Sequence, residues 1–164
     1  MDWQLSVELA AVVFGAFVLY RFRPAIGGDT KKPGRGVLKE ARDRLANAKN
    51  DAEKSDALAA AGDACARTVG LGGAASSYYL RAMRLAPDSV ELVDRAAQGL
   101  ARRPRLLETL MWRRLGMEPW LGEHRAATQA ALRQLHVIYT KSRRSVMRAK
   151  MVERALEAID TSAK

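Results

Sequence analysis

The side chains best suited to metal ligation or nucleophilic attack are few: two histidines, His124 and His136, and one cysteine, Cys65. The histidines lack the H-x-x-x-H spacing that would set both on one face of a helix. Neither has a neighbouring cluster of Cys or Asp to complete a metal site. One cysteine allows no intramolecular disulfide and no multi-cysteine cluster. On the apolar side of a predicted helix, Cys65 reads as a small core residue. Gly70-Leu71-Gly72-Gly73 is glycine-rich, but it has neither the following lysine nor the preceding strand of a phosphate-binding loop. Glu8 stands alone in an apolar run, and the other carboxylates are scattered among cations. No nucleophile with an oriented base can be assembled by spacing. The expectation is therefore no catalytic residue, no cofactor, no metal and no enzymatic activity. What remains is charge, the chemistry of recognition.

That charge is lopsided. The chain carries a formal +10, and none of its 28 Lys and Arg falls in the first twenty residues, where two of the 18 carboxylates, Asp2 and Glu8, do. A body this basic is drawn to acidic proteins, anionic lipid or nucleic acid. The elements that position the charges are helices. Ala, Leu, Arg, Glu and Lys dominate, and no alternation of Val, Ile and Thr marks a strand, so the fold class is all-α.

The central stretch is Ser55 to Pro87. Gly62 and Ala75 stand where two antiparallel helices need to approach closely. Between them Val69 to Gly73 is a break that one continuous helix would tolerate poorly. Ala75, Tyr79 and Ala82 then recur at i, i+4 and i+7, one helical stripe. Pro87, Asp88 and Ser89 end that helix and offer a cap for the next. Ala75, Tyr79, Ala82 and Pro87, with Gly62 in the first helix, resemble the tetratricopeptide repeat. Two departures accompany the match: one residue is inserted in the turn after Gly62, and Ala59 and Cys65 replace the first-helix aromatics. The resemblance covers one repeat, about a fifth of the chain.

A shift back of about 34 residues, the family's period, places Ala41, Leu45 and Ala48 under the same stripe, with Glu53 where the proline should be. From Val37, the residues Leu38, Ala41, Leu45, Ala48 and Ala52 face one way, and mixed charges face water. Forward, Val90 to Leu100 reads as another first helix, with Val93, Ala96, Ala97 and Leu100 on one face. Its partner, Pro104 to Leu115, has lost the register. The resemblance implies a stack of helical hairpins whose first helices line a groove for a peptide or helix of another protein. The groove positions it implies are Asp63 and Arg67, then Asp94, Gln98 and Arg102, with the inserted residue displacing the first pair by as much as one position.

Ahead of the repeats, Trp3 to Tyr20 is apolar enough and, at eighteen residues, long enough to span a bilayer, which takes about 17–25. Trp3 and Tyr20 suit the two interfaces, Phe14 and Phe17 the interior, and Arg21 and Arg23 close the stretch. The acidic start, and Arg21, Arg23 and Pro24 where a cleavage site should lie, argue against a cleaved signal peptide. Residues 1–23 are expected to be a single-pass anchor, 24–36 a basic flexible linker and 37–164 the repeat domain. Arg21, Arg23, Lys31, Lys32, Arg35 and Lys39 keep the C-terminal domain cytoplasmic and push the N-terminus out. The Ala- and Arg-heavy composition fits a bacterial inner membrane.

Toward the C-terminus, Arg102, Arg103, Arg105, Arg113 and Arg114 accompany Trp112 and Trp120, residue types that dominate binding hot spots. The plainer expectation packs Trp112 with Leu107, Met111 and Leu115 in the core and lets Trp120 staple the next helix start. A helix is predicted over Leu121 to Tyr139, with Leu132, Leu135, Val137 and Ile138 as its apolar residues. Ser142 to Ile159 should form the last helix, with Val146, Ala149, Val152, Leu156 and Ile159 inward. A basic patch of Lys141, Arg143, Arg144, Arg148, Lys150 and Arg154 lies on or near its other face. Such a helix can cap a repeat stack, lie on a membrane or contact phosphates. The expected function is a membrane-anchored adaptor that docks another protein on the cytoplasmic face. The alternative is a tethered basic module that holds nucleic acid or anionic lipid, although no aromatics interleave with the patch as single-strand binding requires.

Overall fold

Seven α-helices follow one another in a computed structural model that describes residues 34–117, 119–141 and 145–161. They are α1 (Gly34–Asn47), α2 (Asp51–Arg67), α3 (Gly72–Leu85), α4 (Val90–Gly99), α5 (Pro104–Leu115), α6 (Arg125–Thr140) and α7 (Val146–Thr161), with a 3₁₀ turn at Gly122–His124 before α6. Among the described residues there is no strand, and the chain's fold class is all-α. The described residues belong to one unit that begins at Pro33. The expected anchor, with Trp3, Phe14, Phe17, Tyr20, Arg21 and Arg23, lies outside them, as do Arg143 and Arg144 of the basic patch. No described helix is long and apolar enough to cross a membrane.

Helix α1 begins three residues inside the expected linker, at Gly34. The N–H groups of a first turn have no intrahelical partner, so glycine there forfeits entropy but no hydrogen bond. The stripe expected to run on through Ala52 is interrupted after Asn47. Asn50 caps α2: its Oδ1 accepts from the Glu53 N–H at 2.7 Å, and the Glu53 carboxylate accepts from the Lys49 N–H at 2.8 Å and the Asn50 amide at 2.9 Å. This reciprocal arrangement is a capping box built on Asn. It gives Glu53 a local job at the place where the repeat pattern would put proline.

Helices α2 and α3 form an antiparallel hairpin, turned at Gly70, whose φ of 84° lies in the left-handed region that side chains with a Cβ avoid. Ser55 Oγ near the start of α2 donates to the Ala82 carbonyl near the end of α3, at 3.2 Å in a buried setting. Ala59, Cys65, Ala75, Tyr79 and Ala82 are fully buried between and around them. Ser89 caps α4 by accepting from the Leu92 N–H. Helix α4 then packs on α2, α3 and α6, while α5 packs on α3 and α6. The stretch that loses the repeat register is therefore the one that does not fold back mainly on its predecessor. Helix α6 packs against both α4 and α5, and α7 packs on α6. Leu107, Leu110, Met111, Ala127, Leu132 and Leu135 join the hairpin in one continuous core.

Candidate functional site

Tyr79 of α3 is the pin between α2 and α4. A Cβ on Gly62 of α2 would stand 2.8 Å from Tyr79 Cε1, and a Cβ on Gly99 of α4 would collide with the Tyr79 hydroxyl. The ring thus occupies space cleared by one glycine on each neighbouring helix. Its Oη donates to Asp63 Oδ1 at 2.5 Å, and Arg95 Nε of α4 donates to Asp63 Oδ2 at 2.7 Å. Arg95 also stands 3.7 Å from Asp56. Burial, then the hydrogen bond and charge of Asp63, push the Tyr79 phenol well above its ordinary value, against the opposing pull of Arg95 and Arg67. Asp63 and Arg95 are each only partly exposed, 23% and 31%, so the contact is stronger than an open surface pair. It holds α2 and α4 side by side.

Two hollows flank this pin. The first, about 280 Å³, has an alanine floor of Ala41, Ala60, Ala61 and Ala64 between α1 and α2, and walls that include Arg44, Asp63 and Arg67. The second, about 530 Å³, runs along α4 past Val90, Glu91, Asp94, Arg95 and Gln98. Asp63 lines one and Arg95 the other, so the ion pair sits where they meet. Of the residues implied as groove positions, Asp63 has both carboxylate oxygens engaged within the fold. Arg67, Asp94 and Gln98 are exposed and line the hollows; Arg102 is exposed beyond the end of α4 and lines neither. Both hollows carry mixed charge, Glu40 and Asp63 with Arg44 and Arg67 in the first, Glu91 and Asp94 with Arg95 in the second. Arg44 is paired to Glu40 at 2.7 Å.

The arginine- and tryptophan-rich stretch divides differently from expectation. Arg114 is buried, with 1% exposure; its guanidinium donates to the Pro87 carbonyl and, at 3.5 Å, to that of Met117. Desolvation lowers its pKa, opposed by Asp88. It anchors the α3–α4 turn and is not offered to a partner. Trp112 does not enter the core: at 48% exposure it lies at the surface, and its Nε1 donates to Tyr139 Oη at 2.8 Å. Tyr139 in turn donates to Glu108 at 2.7 Å, and Arg148 pairs with Glu108 at 3.3 Å while lying 5.8 Å over the Tyr139 ring. The network ties α5, α6 and α7 together. Trp120, equally exposed, donates to the Leu115 carbonyl at 2.6 Å.

Arg148 is therefore committed within the domain, and the described remainder of the basic patch, Lys141, Lys150 and Arg154, is exposed. Of the residues expected inward, α7 buries Ala149, Val152 and Ile159 and half-buries Leu156, while Val146 is 58% exposed. Cys65 is fully buried, and burial pushes its thiol up. Among the described residues no cluster of His, Cys, Asp and Glu could hold a metal ion. No family model, curated protein or solved structure matches the chain. The Gly62–Tyr79 contact was signalled by residue types at repeat spacing. Gly99 and Arg95 had no such signal, because their partners lie on another helix.

Proposed function

We propose that this chain is a membrane-anchored helical-repeat adaptor, similar to tetratricopeptide-repeat proteins, that docks another protein along the face formed by α1, α2 and α4. Residues 3–20 would form the anchor, and the domain after the linker would stand on the cytoplasmic side. The observation that carries it is the pair of hollows joined at the Asp63–Tyr79–Arg95 pin. The alanine floor of the first lets another backbone approach closely, and Arg67, Asp94 and Gln98 remain free for a partner to read. Charge at such a face sets register and specificity more than raw affinity. The partner expected is a helix or extended peptide with small residues toward Ala60 and Ala64, acidic groups toward Arg67 and basic groups toward Asp94.

The test is co-purification of the detergent-solubilised full chain with and without charge reversal at Asp94, Arg67 and Arg102. Asp94→Lys with Arg67→Glu should release the partner. Arg102→Glu, outside both hollows, should have the smaller effect. Retention of every co-purifying protein by the double variant would overturn the groove. For the membrane placement, carbonate-resistant fractionation and a reporter fused after Lys164 are decisive. A soluble intact chain, or a reporter outside, refutes it.

A further inference from the structure

The outward face of α7 has a composition that solvent exposure alone does not explain. At 100° per residue, Met147, Lys150, Met151, Arg154 and Ala158 form one continuous stripe opposite the buried Ala149, Val152 and Ile159. Met147 is 73% and Met151 65% exposed. Among the described residues neither Lys150 nor Arg154 has an ion-pair partner; the exposed Glu157 borders the stripe, about 20° beyond Lys150. The other carboxylates of α7 lie farther round: Glu153 is on the flank beyond Glu157, and Asp160 is taken by Gln129 at 2.5 Å and Arg125 at 3.6 Å from α6. On the other flank, Arg148 is held by Glu108 of α5. Between Lys141 and Arg154 the sequence holds a single acid, Glu153.

We infer that this stripe is a docking surface for the headgroups of an anionic bilayer, with Met147 and Met151 entering the interface between Lys150 and Arg154. Unbranched, polarisable methionines adapt to an irregular apolar surface, and cations beside exposed apolar groups are the combination that anionic membranes attract. Charge complementarity selects the occupant: two unpaired cations beside two exposed methionines, with Glu157 only at the Lys150 edge, fit a lattice of phosphates, and no aromatic ring lies on the stripe to stack a base. It rests on the anchor proposed above, which keeps the domain beside a bilayer. The stripe would then fix which side of the domain faces the lipid, leaving α1, α2 and α4 for the protein partner.

Methionine oxidation reads this directly in the full chain, because exposed thioethers convert to sulfoxide and covered ones do not. The chain is reconstituted in phosphatidylcholine vesicles, with or without a third of the lipid as phosphatidylglycerol, and treated with hydrogen peroxide. Oxidation at each methionine is then counted by mass spectrometry. Met147 and Met151 should oxidise more slowly in the anionic vesicles alone, and Lys150→Glu with Arg154→Glu should abolish the difference. Each cation contributes roughly fivefold to occupancy of an anionic surface. Met83 and Met111, 1% and 0% exposed, report that the fold is intact throughout. Equal rates in both vesicles, from a chain that floats with both, overturn the stripe and leave the anchor standing. Flotation with anionic vesicles alone, with protection, overturns the anchor and supports the stripe; flotation with neither overturns both. Equal protection by a lipid-free oligodeoxynucleotide would reassign the surface to nucleic acid and overturn the lipid.

Discussion

Replacing Gly99 by alanine puts a methyl group into the space of the Tyr79 hydroxyl, whereas replacing Gly62 puts one against the Tyr79 ring edge. The two variants look alike in isolation. Gly62→Ala, inside α2, gains about 0.5–1 kcal/mol of helix propensity and Gly99→Ala, at the last residue of α4, gains less, while each loses about 1–3 kcal/mol to overpacking. Tyr79→Phe separates them. By itself it costs about 1.5–3 kcal/mol, the range for a hydrogen bond to a charged group, here Asp63. It also removes the atom that Gly99→Ala strikes first, with the remaining ring carbon Cζ 3.1 Å from the new methyl. The ring edge that Gly62→Ala strikes stays in place, with Cε1 at 2.8 Å and Cδ1 at 2.9 Å. The Gly99→Ala/Tyr79→Phe double variant should therefore be about 1–3 kcal/mol more stable than the sum of its singles predicts, the size of the relieved overlap. Gly62→Ala/Tyr79→Phe keeps the struck ring edge, so its coupling should be the smaller, about 0.5 kcal/mol, the low end for residues in contact. Urea unfolding of the unit from Pro33 onward, followed by far-ultraviolet circular dichroism, measures all five variants. Additivity in both cycles, or coupling confined to Gly62, would refute the placement of Tyr79 between α2 and α4.

The other predictions concern charge and caps. Burial and their carboxylate partners raise the pKa of both Tyr79 and Tyr139 above the ordinary 10.0. A phenol that keeps its proton more firmly when folded adds stability that is fully present below pH 10 and lost as the pH climbs through the folded values. Stability should accordingly fall above pH 10 by up to about 1.4 kcal/mol per pH unit for each tyrosine. Tyr79→Phe should flatten the decline, as followed by alkaline titration of unfolding. Asn50→Ala should cost about 0.5–2 kcal/mol by removing the cap of α2, with Glu53→Ala producing part of the same loss and little more when combined. Arg114→Met keeps the volume but leaves the Pro87 carbonyl without its donor, so a loss of about 1–3 kcal/mol is expected. Arg113→Met on the exposed side should stay within about 0.5 kcal/mol.

Much of the fold was legible because its signals are local. The glycine-rich break after Val69, the Ala75–Tyr79–Ala82 stripe and the Ser89 cap each depend on residues within a turn or two of one another. The capping box at Asn50 and Glu53 was equally local, yet repeat periodicity hid it by aligning Glu53 with a proline. Other features were not legible. Helical spacing puts Arg114 on the stripe of Leu107, Leu110 and Met111, but the partner that lets a guanidinium be buried there, the Pro87 carbonyl, is 27 residues away. Val146 shares the spacing of a core residue but is left outside, since α6 meets α7 along Ala149, Val152 and Ile159. Asp63 has the position of a partner-reading residue and is instead occupied by Tyr79 and Arg95.

The amino-acid order alone determined the all-helical class, the net positive charge and the turn between α2 and α3, because composition, charge and glycine placement act without reference to distant parts of the chain. Tertiary packing alone decided that Gly99 closes on Tyr79 from a second helix, that the buried Arg114 finds the Pro87 carbonyl and that Met147 and Met151 face outward. Those outcomes depend on which helices become neighbours, and a helix exposes or covers a residue only once its neighbour has arrived.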